Sequence, residues 1–396
     1  MLAPGLGRRA GVIIGLLALA GCATNETSSQ WSPPNPPSPA ARAPPPTSEP
    51  AAPLAVGQLP MASLPGWSQE DHASALRAFE QSCAAVRLAD LEGVCRRARQ
   101  AGVLGESQAR EFLETNFRAD PLTGRGLLTA YFAPQYQART HREGAFTAPV
   151  RPRPADLIVL DLGAFDPTLA GRKLSAQLVD GQLIPYPDRA AIEAQTPDQV
   201  LAWMKPEDLF FLQIQGSGVL SLPDGRRLKA SFSASNGRPF VGVANVLRDR
   251  GELAADATSG EAIRAWLADH RGPQAEAVMR KNPRYVFFKL APDDDAEPTG
   301  AAGAPLIPGR ALAVDASRHP LGGLYWIDAS APSLDGAFAA YQRLTVALDV
   351  GAAIKGEVRA DLYLGRGEAA GLEAGRVRHA LTLYAIEPAT READDR

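Results

Sequence analysis

Cysteine and histidine are scarce in this sequence, and their positions do not form a metal-binding pattern. The 396 residues contain three cysteines and five histidines, and the histidines are scattered at positions 72, 141, 270, 319 and 379. Because zinc sites need Cys and His ligands at short, regular spacings, we expect neither a metal nor any other cofactor.

The sequence also lacks the signatures of a nucleophilic hydrolase and of a nucleic-acid-binding protein. Residues 215–218 read Gln-Gly-Ser-Gly, which does not fit the Gly-x-Ser-x-Gly turn that exposes a catalytic serine. No cysteine–histidine constellation is available either. The net charge is −3 and no stripe of Lys or Arg is present, so we expect no nucleic-acid partner.

The N-terminal apolar run, Gly11 to Ala20, is too short for a membrane-spanning helix, which needs about twenty residues. It follows two arginines and fits the core of a secretory signal. It ends in Leu-Ala-Gly-Cys22, which resembles a bacterial lipobox. We therefore expect residues 1–21 to be a lipoprotein signal peptide and Cys22 to carry the lipid that anchors the chain to a membrane. The alternative is an ordinary signal peptide with an incidental cysteine.

The residue after Cys22 is Ala23 and not aspartate, which in Gram-negative lipoproteins indicates the outer membrane, with the chain facing the periplasm. Residues 22–65 are dense in Pro, Ala and Ser. Such a segment buries too little apolar surface to offset its ordering entropy, so we expect a disordered tether. Whether its length matters for reaching away from the membrane is left open.

Cys83 and Cys95 are the remaining cysteines, and an even pair in an exported protein is a candidate disulfide. The apolar spacing around Cys83 is helical, so a pair of buried free thiols is the alternative. We favour the disulfide, which would join two packed helices.

The folded part is predicted to be mainly β with a few helices. Helices are predicted from Ser68–Asp71 through the run 76–99, over 107–117, from Ser259, and from Pro273 to a stop at 282–283. Many short β-type segments bounded by Gly or Pro favour barrels over a parallel α/β sheet. These segments are 127–132, 157–160, 210–215, 285–290, 311–315, 344–348, 359–364 and 381–386.

Three aspartates, Asp315, Asp349 and Asp361, each end or interrupt an apolar β-type run. A carboxyl group at such a position must be paired, hydrogen-bonded or exposed in a cleft. Carboxyl groups are also the usual tools for breaking a glycosidic bond. Capping of turns is the alternative for all three.

Five segments in order resemble the membrane-bound lytic murein transglycosylase A family, which carries a C-terminal three-aspartate domain. Ala130, Ala133 and the Ser-Ala at 233–234 depart from the family pattern and remove no candidate catalytic group. The matching segments are 128–134 (Leu-Thr-Ala-Tyr-Phe-Ala-Pro), 213–218 (Gln-Ile-Gln-Gly-Ser-Gly), 235–240 (Ser-Asn-Gly-Arg-Pro-Phe), 282–288 (Asn-Pro-Arg-Tyr-Val-Phe-Phe) and the three-aspartate region.

The resemblance implies a double-psi β-barrel formed by residues 66–135 and 291–390. A second, smaller β-barrel, residues 136–290, would be inserted into it, with the active site in the groove between them.

The resemblance also implies that Asp361 is the catalytic acid, with Asp349 and Asp315 as supporting carboxylates. We expect Asp349 to raise the pKa of Asp361 if the two are close, and Lys355 to pair elsewhere or to contact substrate. Candidate substrate-binding residues are Thr129, Tyr131, Gln213, Gln215, Gly216, Ser217, Asn236 and Lys355.

The implied activity is that of a lytic exotransglycosylase, a lyase that acts on the glycan strands of peptidoglycan. It would cleave the MurNAc–GlcNAc bond without water and leave 1,6-anhydromuramyl ends. Proteins that remodel the cell wall are possible partners. Two alternatives remain: a two-carboxylate peptidoglycan hydrolase, and a non-catalytic peptidoglycan-binding lipoprotein.

Overall fold

The computed structural model describes residues 57–389, apart from 86–87, 255–258, 333, 335–336 and 338–339. The expected signal peptide, the lipidation site Cys22 and most of the expected tether lie outside the described residues. Within the described ranges, no helix combines the length and apolar character needed to cross a membrane.

Nine α-helices lie in the described part of the chain. They are α1 (His72–Ala85), α2 (Glu92–Ala101), α3 (Glu106–Asn116), α4 (Arg189–Ala194), α5 (Pro206–Gln215), α6 (Val243–Asp249), α7 (Gly260–Asp269), α8 (Pro273–Met279) and α9 (Gly367–Ala374).

The strands are more numerous, as the sequence predicts. They are β1 (Leu59–Pro60), β2 (Phe117–Pro121), β3 (Gly126–Ala133), β4 (Gln135–Gln137), β5 (Ala148–Val150), β6 (Ile158–Asp161), β7 (Lys173–Val179), β8 (Gln182–Pro185), β9 (Ala202–Met204), β10 (Ser217–Ser221), β11 (Arg227–Ser235), β12 (Val286–Pro292), β13 (Ala311–Val314), β14 (Leu324–Ala329), β15 (Tyr341–Val350), β16 (Arg359–Arg366) and β17 (Arg378–Pro388).

Six of these strands close into a barrel. The order is β17-β14-β15-β13-β16-β3, and β3 also pairs with β17, which completes the ring. Two neighbouring pairs, β13 with β15 and β16 with β3, are parallel, and the others are antiparallel. The prediction of a mainly β fold built on a barrel is confirmed.

Alternation along the barrel strands separates two apolar cores. One core takes a residue from every strand of the barrel and none from a helix, so it fills the interior; it includes Leu128, Leu312, Ile327, Ala347, Leu362 and Leu383. The other core joins outward side chains such as Trp326 to Phe79 of α1 and Leu113 of α3. The N-terminal helices therefore cover one side of the barrel.

Helices α1 and α2 are joined by a disulfide between Cys83 and Cys95, whose Cα atoms are 5.7 Å apart. Both cysteines are buried in the second core, the one that joins the outside of the barrel to the N-terminal helices. The expected helical run through residue 99 thus consists of two helices that pack on each other.

Residues 134–310, called here the inserted segment, leave the barrel after β3 and return to it at β13. Their strands form a four-stranded sheet in the order β12-β11-β10-β4, a three-stranded sheet β6-β7-β8 and the pair β5–β9. Strand β4 follows barrel strand β3 after one residue, so the inserted sheet starts where the chain leaves the end of β3.

The strand predicted over 210–215 is wrong, because these residues belong to helix α5. The apolar run Leu209 to Leu212 is compatible with a buried strand or a buried helix by pattern alone. Pro206 in the first turn, followed by Glu207 and Asp208, favours the helix. Gly216 ends it in the left-handed conformation with φ 84°.

Candidate active site

The strand register places two carboxyl groups and one hydroxyl in a row across four strands. Asp349 of β15 lies opposite Ala313 of β13. Ala313 lies opposite Asp361 of β16, and Asp361 lies opposite Thr129 of β3. Residues two apart on a strand share a face, so Tyr131 and Tyr363 lie on the same side as Thr129 and Asp361.

Asp361 is only partly exposed, and its Oδ1 accepts a hydrogen bond from the hydroxyl of Thr129. Burial raises the pKa of this carboxyl above its ordinary value, and the nearby charge of Asp349 raises it further. The Thr129 hydrogen bond and the Arg359 guanidinium act in the opposite direction without cancelling the rise. A carboxyl group held in this way keeps its proton to a higher pH than a solvated aspartate.

Asp349 accepts two hydrogen bonds that fix its orientation. The phenol of Tyr131 donates to Oδ2 at 2.9 Å, and the backbone N–H of Ala301 donates to Oδ1 at 3.0 Å. Burial still leaves the pKa of Asp349 raised, although these bonds favour its charged form. Asp349 is therefore a neighbouring acid with its own fixed partners.

Tyr131 is 8% exposed and serves the site as a hydrogen-bond donor. Its ring packs against Tyr363 with centroids 5.2 Å apart, and the phenol of Tyr363 donates to Glu297 at 2.5 Å. Burial raises the pKa of Tyr131 well above its usual range, so the phenol keeps the proton that it donates to Asp349. Its ring has little surface left for stacking on a sugar.

Asp315 occupies a different environment at the end of β13. Its carboxylate accepts hydrogen bonds from the backbone N–H of Gly356 at 3.0 Å, the Ser317 hydroxyl at 2.9 Å and Lys355 Nζ at 3.2 Å. Burial alone would raise its pKa, but these donors outweigh it and hold the pKa at about 2. Asp315 thus stays ionised and ties two turns together, and Lys355 pairs with it, as expected if Lys355 does not point at Asp361.

Two of the expected substrate-binding side chains are committed to the fold of the inserted segment. The Asn236 amide donates to the carbonyls of Pro187 and Pro283 at 2.9 and 2.8 Å, and its oxygen accepts from the N–H of Tyr285 at 2.9 Å. Gln213 is 5% exposed and donates to the carbonyl of Val286 at 3.2 Å. Neither residue is brought beside Asp361 by these contacts.

The other three expected contact residues lie where α5 runs into β10. Gln215 accepts a hydrogen bond from the backbone N–H of Phe132 at 3.3 Å, so it joins the inserted segment to barrel strand β3. Gly216 supplies the left-handed end of α5, and Ser217 starts β10 opposite Ser231.

A cleft of about 1010 Å³ separates the barrel from the inserted segment. Its barrel wall is formed by β3 and α9, and its other wall by β4, α5 and α7; Ala130, Phe132, Gln215, Arg264, Glu368 and Arg376 are among the lining residues. Ala130 and Phe132 alternate along β3 with Thr129 and Tyr131, so they face the other side of the strand. Asp361 does not line this cleft.

Arg359 is a site residue that the sequence reasoning missed. Its Nη2 donates to the Thr129 hydroxyl at 2.8 Å, and its Nη1 donates to the carbonyl of Ala360 at 2.5 Å. The signal was available, because Arg359 precedes Asp361 by two positions on one strand and so shares its face. Among the residues with described placement, no group of three or more His, Cys, Asp or Glu side chains is arranged to hold a metal ion.

Two regions of the chain match known protein families. Residues 127–289 match the MltA specific insert domain, and residues 310–387 match the 3D domain. Among curated proteins, the membrane-bound lytic murein transglycosylase A of Escherichia coli K12 is 33% identical over 274 residues, which are 67% of this chain and 67% of that protein.

Solved structures agree with this match. A membrane-bound lytic murein transglycosylase from Agrobacterium tumefaciens superposes with a TM-score of 0.74 at 31% identity, over 84% of this chain and 97% of that one. Escherichia coli MltA with bound chitohexaose gives a TM-score of 0.61 at 27% identity, over 87% and 96% of the two chains. Sequence and fold agree, and the chain belongs to the membrane-bound lytic murein transglycosylase A family.

Proposed function

We propose that this protein is a lytic transglycosylase of peptidoglycan in which Asp361 performs both proton transfers. The observation that carries the proposal is the environment of Asp361: a partly buried carboxyl group with a raised pKa, beside a second carboxyl group. A single acid that is protonated near neutral pH and can then act as a base is what the reaction needs.

The reaction breaks the bond between N-acetylmuramic acid and N-acetylglucosamine without adding water. Protonated Asp361 donates its proton to the glycosidic oxygen, which leaves with the N-acetylglucosamine. The carboxylate that remains takes the proton of the muramyl C6 hydroxyl, whose oxygen bonds to the anomeric carbon. The product is a 1,6-anhydro ring, and Asp361 regains its proton.

The neighbouring groups influence the protonation of Asp361 or stabilise the structure around it. Burial favours the protonated form of Asp361, and the charge of Asp349 adds to this effect by disfavouring a second negative charge close by. Tyr131 and Ala301 hold Asp349 in place. Asp315 and Lys355 support the turns around the site through their own pair. Gln213 and Asn236 support the inserted segment.

The cleft between the barrel and the inserted segment is proposed to hold glycan units away from the scissile bond. Its mixed aromatic and polar lining is typical of sugar sites, and it begins one residue from Thr129. Gln215 lines this cleft, and it and Ser217, two residues further along the chain, are the candidate contacts for hydroxyl and acetamide groups. The oligosaccharide bound to Escherichia coli MltA supports a glycan ligand for the family.

The proposed division of the chain follows the strands. Residues 66–135 and 291–390 would form the catalytic barrel domain, and residues 136–290 the inserted domain. The change from barrel strand β3 to inserted strand β4 occurs at residues 133–135 and supports the first boundary.

We further propose that Cys22 carries a lipid that anchors the protein in the outer membrane, facing the periplasm. The lipobox-like residues before Cys22 support this proposal, and the curated relatives are named membrane-bound. Labelling of cells with radioactive palmitate should mark the wild-type chain and leave Cys22→Ala unlabelled. A labelled Cys22→Ala chain would contradict this anchor.

The activity is tested on purified peptidoglycan sacculi with the full chain in detergent, followed by mass spectrometry of the released muropeptides. We expect anhydro-ended products from the wild type and none from Asp361→Asn. The matched control, Asp249→Asn, changes an exposed aspartate on α6 and should retain the wild-type products. Early release of short fragments would agree with attack from strand ends.

Two other outcomes would overturn the proposal. Reducing-ended products would show that water attacks the anomeric carbon, with Asp349 as the first candidate for the second carboxylate. Binding of the wild type to sacculi with no release of fragments would favour a non-catalytic binding lipoprotein.

A further inference from the structure

Between the proposed acid and the nearest guanidinium lies a single hydroxyl group. Arg359 Nη2 donates to the Oγ1 of Thr129 at 2.8 Å, and Thr129 Oγ1 in turn donates to Oδ1 of Asp361. The three residues lie on two paired parallel strands, with Thr129 directly opposite Asp361. Their chain of contacts is therefore set by the register of the barrel.

The direction of this chain is fixed by the chemistry of its ends. A guanidinium has only N–H donors, so Arg359 cannot accept a hydrogen bond. The Thr129 hydroxyl has one proton, and because it accepts from Arg359 that proton is free to be donated to Asp361. Oδ1 of Asp361 is then always the acceptor.

We propose that Arg359 is a positioning residue that acts through Thr129 to place the acidic proton of Asp361 on Oδ2. With Oδ1 occupied by the Thr129 donor, a proton on Asp361 must sit on the other oxygen. That oxygen is the one left to meet the glycosidic oxygen, and later the muramyl C6 hydroxyl. The inference rests on the proposed function of Asp361 as the acid.

The guanidinium is held rigidly enough for this role. Its Nη1 donates to the carbonyls of Ala360 and Leu127, at 2.5 and 3.4 Å, so the fork is pinned to the two strands that carry the acid and the threonine. Lysine, which has a flexible stem and a single point charge, would not reproduce this geometry in full.

The interposed hydroxyl also explains how an arginine can lie near an acid that must stay protonated. A direct ion pair with Arg359 would hold the carboxyl in its charged form. One hydroxyl between them weakens that effect, and burial together with Asp349 keeps the pKa of Asp361 raised.

Titratable groups reach this site from four of the strands around it. Asp349 lies on β15, Arg359 on β16, Tyr131 on β3 and Arg378 on β17, where Arg378 is opposite Thr129. Arg378 repels Arg359, whereas Asp361 stabilises the Arg359 charge. Strand β13 contributes only the methyl side chain of Ala313 opposite Asp361.

The test compares kcat, KM and the pH dependence of anhydro-muropeptide release for the full chain and four variants. Thr129→Val removes the hydroxyl at nearly constant volume, and Thr129→Ser restores it. Arg359→Met removes the charge and donors, and Arg359→Lys restores the charge. The control, Arg248→Met, removes an exposed arginine from α6.

Protonated Asp361 starts the reaction, so activity falls as the pH rises through its pKa. Without Arg359 or the Thr129 hydroxyl, the protonated form is favoured and the descending limb should move to higher pH, by about one unit for Arg359→Met. Loss of the fixed Oδ1 donor should lower kcat roughly tenfold in Thr129→Val with KM unchanged. Only the control Arg248→Met should match the wild type. Thr129→Ser should recover most of the kcat lost in Thr129→Val, and Arg359→Lys should return the descending limb toward its wild-type pH.

A second measurement does not depend on activity. The melting temperatures of the wild type, Asp361→Asn, Arg359→Met and the double variant form a cycle that isolates the coupling of the two residues. We expect coupling at pH values where Asp361 is ionised and its loss at low pH, where Asp361 is protonated.

The possible failures are separable. If the wild type releases no anhydro products, the proposed function fails, while the melting cycle still tests the link between Arg359 and Asp361. If Thr129→Val and Arg359→Met both keep the wild-type kcat and the wild-type descending limb of the pH profile, the positioning role is overturned. A coupling that is the same at every pH would overturn it too, because that result would mean packing alone.

Discussion

At the scale of single residues, Asp315 and Asp361 have the same side chain, and each lies at an apolar β-type run. Their pKa values nevertheless shift in opposite directions from the ordinary value of an aspartate. Asp315 receives a backbone N–H, a hydroxyl and an ammonium group, which hold its pKa at about 2. Asp361 receives one hydroxyl, and burial beside Asp349 raises its pKa. The partners of each carboxyl group, rather than the residue type, determine which one can serve as an acid.

Replacement of Asp349 by Asn should shift the activity of the protein to lower pH. The Asp349 charge raises the pKa of Asp361, so its removal lets Asp361 lose its proton earlier as the pH increases. The descending limb of kcat/KM against pH, measured on sacculi, should therefore move down, opposite to the shift expected for Arg359→Met. A limb that moves up would contradict the electrostatic role given to Asp349.

Replacement of Asp315 by Asn should destabilise the fold at neutral pH. The folded-state pKa of about 2 lies below the ordinary value of 3.8, so the carboxylate stabilises the fold above pH 4 and loses that effect as the pH falls toward 2. We expect a loss of about 2 kcal/mol at pH 7 in urea unfolding, shrinking below pH 4. Lys355→Ala removes only the exposed ion-pair partner and should cost under about 0.5 kcal/mol.

At the scale of elements, helix α5 and strand β10 are joined by a turn in which two glycines have different duties. Gly216 has φ 84° and open space at the position that a Cβ would occupy, whereas a Cβ on Gly218 would lie 2.7 Å from the carbonyl oxygen of Pro134. The first glycine is required by backbone conformation, and the second by the close approach of β10 to the end of β3.

Alanine at these two glycines should therefore have unequal effects. Gly216→Ala should cost about 1 kcal/mol, since only the left-handed conformation opposes it. Gly218→Ala should cost more, because backbone atoms must move to relieve the contact. Urea unfolding of both variants measures the difference, and equal costs would mean that the contact at Gly218 relaxes freely.

The disulfide between α1 and α2 should stabilise the N-terminal helices that pack on the barrel, without contributing to catalysis. Its cysteines are 12 residues apart, and closing a loop of this size is worth about 3 kcal/mol in the chain-entropy description. Cys83→Ala with Cys95→Ala should lose this amount in urea unfolding while the products from sacculi stay anhydro-ended. An unchanged midpoint would show that helix packing alone holds the pair.

At the scale of the whole molecule, a buried carboxylate links the barrel to the inserted segment. The side chain of Asp293, 1% exposed, directly follows β12 and pairs with Arg227 of β11 at 2.8 Å. It also accepts two hydrogen bonds from Arg366 of barrel strand β16, at 2.8 and 2.7 Å. One side chain thus joins the inserted sheet to the strand that carries Asp361.

Asp293→Asn should lower the free energy of unfolding by roughly 3 kcal/mol, because two guanidinium groups lose their shared carboxylate. The adjacent Asp294 is exposed and pairs with Lys229 at the surface, so Asp294→Asn is the matched control and should have little effect. Urea unfolding distinguishes the two. An equal effect of both substitutions would contradict the idea that Asp293 stabilises the fold by joining the barrel to the inserted segment.

The local features of this protein could be predicted from its residues alone. The short segments at 127–132, 311–315, 344–348, 359–364 and 381–386 form barrel strands in the structure. They could be predicted because the preference of short β-type runs for strands is a local property of the sequence. Family motifs marked the aspartates. The run at 210–215 was assigned wrongly because its apolar part, Phe210 to Leu212, fits a buried helix and a buried strand equally well.

How these parts act on one another depends on the folded chain. Asp349 and Asp361 lie on consecutive strands of the chain, β15 and β16. They come close together because both strands pair with β13, which comes earlier in the chain. Thr129 joins them from a strand more than 200 residues away. Burial, strand register and hydrogen-bond partners set the pKa of each aspartate, and these depend on long-range packing that no local pattern of residues encodes.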